Sequence, residues 1–189
     1  MSSRTLALIP VAVAINLAVG RLVNELGLPV YLDTIGTVLA TVLAGPLVGI
    51  TTGLVSQFVA ALVSGWVWLA FAPIQVIISL LAWAMALRAG CRTPIRAMGW
   101  GALTGLVGGA ASALISYLAF KGVTATGVTA VTTLFRGLGL PLSTAVALAS
   151  VSTDVVDKIL TFALAATAVR SLPKRMAARF PLALRAAGG

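Results

Sequence analysis

From Thr34 to Leu87 the chain carries no Lys, Arg, Asp or Glu. A soluble domain needs a polar shell, and about a quarter of its residues are ordinarily charged. Here the figure is 9%, against 60% hydrophobic residues. There is too little polar surface to wet a globule of 189 residues, so the apolar runs read as spans of ~20 residues crossing a bilayer. The expected architecture is an all-α membrane protein forming one transmembrane domain over 1–189. Its six-helix bundle has spans over 5–23, 30–45, 46–64, 73–90, 98–120 and 150–169.

The spans are bounded by turn residues and charge. Arg4 precedes the first run as it would in a signal peptide. That run continues to Val23 without a small-x-small cleavage site, so it reads as a retained span. Asn24 to Pro29 supplies a turn, and Gly45-Pro46 separates the second span from the third. Trp66 and Trp68 follow the third span where an interfacial aromatic belt sits. Pro73 opens the fourth span, and Arg92 to Arg96 forms a basic turn after it. The Gly/Thr-rich stretch from Lys121 to Leu142 is the longest connection, and its composition allows a short helix or an ordered flap.

The net charge of +9 would suggest nucleic acid in a soluble protein. In this pattern it is a topology signal, and no nucleic-acid partner is expected. With six spans, Arg4, Arg88, Arg92, Arg96, Arg170, Lys174, Arg175, Arg179 and Arg185 share one side. Arg21, Lys121 and Arg136 share the other. The positive-inside rule then places both termini in the cytoplasm.

The remaining cation, Lys158, lies inside the last span within Asp154-Val155-Val156-Asp157-Lys158. If Arg170 marks the cytoplasmic boundary, Lys158 lies ~18 Å and Asp154 ~24 Å above it, at 1.5 Å per residue. Asp154 and Lys158 are four apart and share a helical face, which Asp157 borders. A charge at such depth costs ~2.5–3.5 kcal/mol on insertion scales, so three together need mutual pairing or a watered cavity. The plain alternative is a structural ion pair at the outer rim. Asp33, Gln57, Gln75 and Tyr117 fall at similar depth. With Trp66 and Trp68 they make a candidate outward-facing pocket of directed polar groups and aromatic walls. Taken singly, each fits an interfacial or capping position. Asn16, near mid-membrane, either bridges helices or touches ligand.

Ala14 and Ala18, flanked by Ala7, Val11 and Gly20, put small residues on one stripe of the first span. Such a stripe lets another helix approach closely, either within the bundle or on a partner. The ladders Gly45/Gly49/Gly53 and Gly101/Gly105/Gly109 are expected to pack internally.

Several chemistries are excluded. The chain has one cysteine, Cys91, and no histidine, which leaves no disulfide, no Cys/His zinc site and no His-based triad. No GxxxxGK[ST] occurs, so the chain is not its own ATPase. No Asp-rich metal-phosphate motif, HExxH or TVGYG filter is present. Neither an enzyme, a metal site nor a cofactor is expected.

These features resemble the substrate-binding S components of energy-coupling factor (ECF) transporters, of the riboflavin-type group. The resemblance rests on six spans in a chain of this size and on Ala14/Ala18. It rests also on Leu32-Asp33-Thr34-Ile35-Gly36 leading into Leu43-Ala44-Gly45-Pro46-Leu47-Val48-Gly49, and on Asp157-Lys158 with a basic tail after Leu172-Pro173. It implies a vitamin-capturing subunit in the plasma membrane of a prokaryote. Such a subunit binds ligand outside through loops and the fourth to sixth helices. It docks by its first three helices on a membrane coupling protein driven by a pair of cytoplasmic ATPases. Ala14 and Ala18 would then form the coupling-protein face, with Asp154, Asp157, Lys158, Gln75 and Tyr117 near the ligand. The contrasting reading is a stand-alone oligomeric secondary transporter or channel for a small solute. A lipid-modifying enzyme has least support, lacking histidine and a metal motif. Mixed carboxylates and an ammonium beside tryptophan suit a flat, polar heterocycle.

Overall fold

The computed structural model describes residues 3–122, 124 and 127–188. Among them there are helices and turns and no strand. The helices are α1 (Ser3–Glu25), α2 (Ile35–Ala44), α3 (Pro46–Ser64), α4 (Val67–Ala70) and α5 (Ala72–Leu87). Beyond a 3₁₀ turn (Gly90–Arg92) come α6 (Pro94–Phe120), α7 (Gly127–Gly137), α8 (Leu142–Arg170), α9 (Lys174–Ala177) and α10 (Pro181–Ala187).

Proline sets many of the starts. Pro46, Pro73, Pro94 and Pro181 occupy the first turns of α3, α5, α6 and α10, where a missing N–H leaves no helical bond unmade. Gly45, at φ +99°, is the whole connection between α2 and α3, and its N–H closes α2 on the Thr41 carbonyl at 2.8 Å. This glycine is a turn residue: a Cβ there would meet nothing within 4 Å. It therefore leaves the expected packing ladder, while Gly49 and Gly53 stay in it.

Three helical stretches, Thr5–Glu25, Pro46–Ser64 and Pro94–Phe120, are long and apolar enough to cross a membrane. The surface agrees with that reading. Leu47, Phe58, Leu62, Ile95, Leu118 and Leu164 are exposed, whereas Thr37, Thr41, Thr52, Gln75, Asp157 and Lys158 are buried. Apolar outside and polar inside reverses the arrangement of a water-soluble fold.

Some element boundaries depart from expectation. The second expected span, 30–45, is helical only from Ile35. Its first residues form an irregular strap because Leu32 sits at φ +49° and the Tyr31 and Leu32 N–H groups bond to Asp157 instead of starting a helix. Ten residues span only ~15 Å, half of a hydrocarbon core. The fourth span ends at Leu87, since Ala89 is left-handed. The fifth begins early, at Pro94, and the last helix begins at Leu142, well before 150. The long connection contains α7, the short helix its Thr/Val content allowed.

The closest packing joins α6 to α8. A Cβ on Gly101 would strike the Lys158 carbonyl oxygen, and one on Gly105 would strike Val155 Cα. One on Gly109 would lie 2.8 Å from Val151 Cα. With no solvent-driven association between helices in lipid, such backbone-to-backbone approach is a main source of cohesion. The same ladder thus fixes the height of the acidic segment of α8 against α6.

At the other end of the bundle, α10 tucks beneath α5 and α8, burying Ala183 and Ala186. Arg185 Nε donates to the Leu87 carbonyl at 3.1 Å, satisfying a free acceptor at the C-terminus of α5. Arg88 lies 5.5 Å from the Trp100 ring centroid, within cation–π range. Cys91 is fully buried in this end, and burial pushes its thiol up to about 11.

Two outcomes follow. Gly105→Val forces α6 and α8 apart and lowers the melting temperature in detergent, an overpacking cost of ~1–3 kcal/mol. Gly99→Ala, where a Cβ meets nothing within 4 Å, leaves it unchanged or slightly raised. Because thiolate is the reactive form, Cys91 in folded protein at pH 8 resists a water-soluble disulfide reagent and reacts fully once the chain is denatured.

Candidate functional site

The charged segment of α8 lies inside the bundle: Asp154, Asp157 and Lys158 are all buried. Asp157 is the hub. One of its carboxylate oxygens accepts from the Tyr31 N–H at 2.9 Å and the Leu32 N–H at 2.7 Å, and the other meets the Lys158 ammonium. Adjacent helical residues point ~100° apart and do not ordinarily face each other. The long lysine stem curls back to bridge that angle. Of the two carboxylates beside Lys158 on this helix, it is Asp157, bordering the shared face, that pairs with the ammonium. The physical reason is that Asp157 alone can serve the strap's two N–H groups and the ammonium together.

Asp154 and Lys158 both look into a chamber of about 50 Å³. Its walls come from five directions: Asp33 and Thr34 from the strap, Gln57 from α3, Trp68 from α4, Gln75 from α5, and Ser112 and Ser116 from α6. Ser150 on α8 closes the ring, and Ser112 hydrogen-bonds Asp154. A larger groove of about 450 Å³ runs between α1 and α3 and shares Tyr31, Asp33, Gln57, Trp68 and Gln75 with the chamber. The two spaces therefore adjoin across these five side chains, and taken together they fall in the range of small-molecule sites, ~300–1,000 Å³. Arg21 and Glu25, paired at 2.8 Å and exposed, stand at the mouth of the groove.

Glycines shape these walls too. Gly20 lets the strap come close, since a Cβ there would lie 2.9 Å from Asp33 Cβ. Gly53 makes room for Gln75, whose Oε1 would lie 2.6 Å from a Cβ at that position. Beneath the site, Asn16 bridges three helices. Its Nδ2 donates to Thr37 Oγ1 at 2.9 Å and Ser56 Oγ at 3.0 Å, and its Oδ1 accepts from the Gly36 N–H at 2.7 Å. Thr37 Oγ1 donates onward to Gln75 Oε1 at 3.2 Å. Asn16 also borders the groove, so the helix-bridging role and contact with the cavity coincide.

The structure brings Asp33, Gln57, Gln75, Asp154 and Lys158 together on the chamber. Asp157 stands just behind it as the anchor of the strap and of Lys158. Tyr117 and Trp66 lie elsewhere: Tyr117 is 43% and Trp66 66% exposed, and neither lines the chamber or the groove. Their places are taken by Ser116 and Trp68. Ser112 and Ser116 belong to a second four-residue stripe of small and polar residues on α6, Thr104, Gly108, Ser112 and Ser116, one position before the glycine ladder, and that stripe was the signal for them. The larger part of the cavity also lies between α1 and α3, whereas the resemblance implied the fourth to sixth helices. Ala14 and Ala18 are exposed on the outer face of α1 with Ala7 and Val11, so this stripe does not serve packing within the bundle.

No family model matches the chain, and no curated protein or solved structure matches it either.

Truncating Asp157 to Ala removes the acceptor of two strap N–H groups and the ion-pair partner of a buried ammonium, and breaking a buried pair costs ~3–5 kcal/mol. Thermal unfolding in detergent will show a large loss for Asp157→Ala. Asp157→Asn, which keeps an acceptor for the strap, will lose less. Limited proteolysis will cut the strap faster in the alanine variant.

Proposed function

We propose that this protein is the substrate-capture subunit, an S component, of an ECF-type importer for a vitamin or related micronutrient. The observation that carries this reading is a buried, charged chamber at one end of a bundle whose outer surface is apolar. Charges held at this cost, beside a groove large enough for an organic ligand, suit capture of a solute. The absence of a phosphate-binding loop in the sequence fits a division of labour in which separate ATPases supply the energy.

In this reading α1, α2, α3, α5, α6 and α8 make six passes through the plasma membrane of a prokaryote. Both termini lie in the cytoplasm with the larger share of cations, and the chamber faces outside. The shortness of α2 is tolerable because α1, α3 and α5 surround it and leave Val38 and Val42 fully buried. Irregular backbone such as the strap is accepted at membrane depth when protein encloses it. The exposed Ala7/Val11/Ala14/Ala18 stripe is the docking face for a membrane coupling protein. The role is binding and delivery, without catalysis.

The test has two arms. Ala14→Trp with Ala18→Trp, on an exposed face, will abolish co-purification of the coupling protein and ATPase pair from the native membrane without changing the melting temperature. Liposomes holding this chain alone will show no solute flux. Flux by the chain alone points to the stand-alone transporter or channel instead, and unimpaired association of the double-tryptophan variant removes α1 as the docking face.

A further inference from the structure

The chamber has a charge imbalance that the protein does not resolve. Three carboxylates, Asp33, Asp154 and Asp157, meet one ammonium, Lys158, around it. Lys158 is committed to Asp157. Arg21, the other cation bordering the cavity, is committed to Glu25. Among the described residues, Asp33 and Asp154 have no cationic partner within salt-bridge distance. A second observation is independent of charge. The hydroxyls of Thr34 and Ser150, 1% and 3% exposed, line the chamber and have no hydrogen-bond partner. Buried hydroxyls ordinarily find one. These two are positioned for a partner that comes from outside the chain.

We propose that the chamber and groove bind an organic cation, its protonated amine seated between Asp33 and Asp154 and its apolar or aromatic body lying along the groove. This names the substrate class for the capture site and rests on that reading of the chamber. An alkylammonium head has three N–H donors, enough to serve both carboxylates and one of the two hydroxyls. A space of about 50 Å³ accepts such a head, and the 450 Å³ groove with Trp68 and Tyr31 on its wall accepts the body. A neutral occupant leaves two buried carboxylates uncompensated, and an anion adds a third.

Two shape-matched sets serve as probes against the full chain in detergent, at constant potassium chloride so that bare inorganic cations cancel. They are tryptamine, tryptophol and indole-3-acetate, and phenethylamine, phenethyl alcohol and phenylacetate. Isothermal titration will show an amine binding about tenfold or more tighter than its alcohol, the margin of a charge-assisted over a neutral hydrogen bond. The carboxylates will show no binding. Asp33→Asn and Asp154→Asn, which keep shape and remove charge, will each erase most of the amine preference by weakening the amine far more than the alcohol. Asp33 lies outside the helices, so its variant carries the test should Asp154→Asn fail to fold. Equal affinity for amine and alcohol, no amine binding tighter than about 1 mM, or an amine preference that survives the double asparagine variant overturns the proposal. Failure here with intact co-purification of the ATPase module leaves the capture role standing with a different ligand class. Solute flux by the chain alone removes the capture role whichever probe binds.

Discussion

Asp157 carries more of this structure than any other side chain, because three otherwise costly groups meet on it. The strap from Val30 to Thr34 turns away from helical geometry, with Leu32 at φ +49°, and so frees backbone N–H groups inside the protein. An unpaired buried N–H costs on the order of 1–3 kcal/mol, and an unpaired buried ammonium costs more. The Asp157 carboxylate takes two of the former and the latter at once. In doing so it fixes the strap over the end of the bundle and turns Lys158 into the chamber. Asp33 and Thr34, which belong to the strap, reach the cavity because of that attachment. The site and the irregular start of α2 are thus two consequences of one carboxylate.

That carboxylate acts only because α8 is held at one height against the bundle, which is the work of α6. Gly101, Gly105 and Gly109 bring the two helix backbones together over the turns bearing Val151, Val155 and Lys158. A rise of one turn moves a residue ~5.4 Å, more than the length of any hydrogen bond in the site. Below, the Asn16–Thr37–Gln75 chain ties α1, α2 and α5 into the same register. Gly53 leaves the space in which Gln75 turns toward Thr37. Small residues therefore place the polar ones, as expected where helices associate by close fit and internal hydrogen bonds.

The apolar runs and the spacing of Gly101, Gly105 and Gly109 made the helical bundle and its tightest contact readable from sequence, since both depend on composition and a four-residue period. The gathering of Asp33, Gln57, Gln75, Asp154 and Lys158 was readable as well, from the rarity of polar groups in apolar surroundings. What escaped depends on long-range geometry. Nothing local marks Tyr31 and Leu32 as donors to a residue more than a hundred positions away, so α2 was expected to start early and the choice of Lys158 between Asp154 and Asp157 stayed open. Trp66 and Trp68 have the same chemistry, and only the turn made by α4 decides that Trp68 faces the chamber. Tyr117 and Ser116 differ by one position on α6, which rotates one outward and the other inward. The Ala14/Ala18 stripe was ambiguous because close packing has the same sequence signature within a chain and between chains.

The polarity of the interior gives the site its leverage. In water, Asp33 and Asp154 would be screened and a passing cation would gain little from them, since exposed ion pairs contribute only ~0–1 kcal/mol. Enclosed by Trp68, Phe71, Ile74 and Ile78, the same carboxylates meet a lower effective dielectric, where each interaction is stronger and each unmet charge more costly. Discrimination by charge then follows from the enclosure itself. It needs no additional contacts, because the wrong occupant is refused by what it leaves unpaired. The price is paid in the folded protein without ligand, which must hold carboxylates beside apolar walls, and the glycine-fitted α6–α8 contact supplies the rigidity that keeps the chamber from collapsing around them.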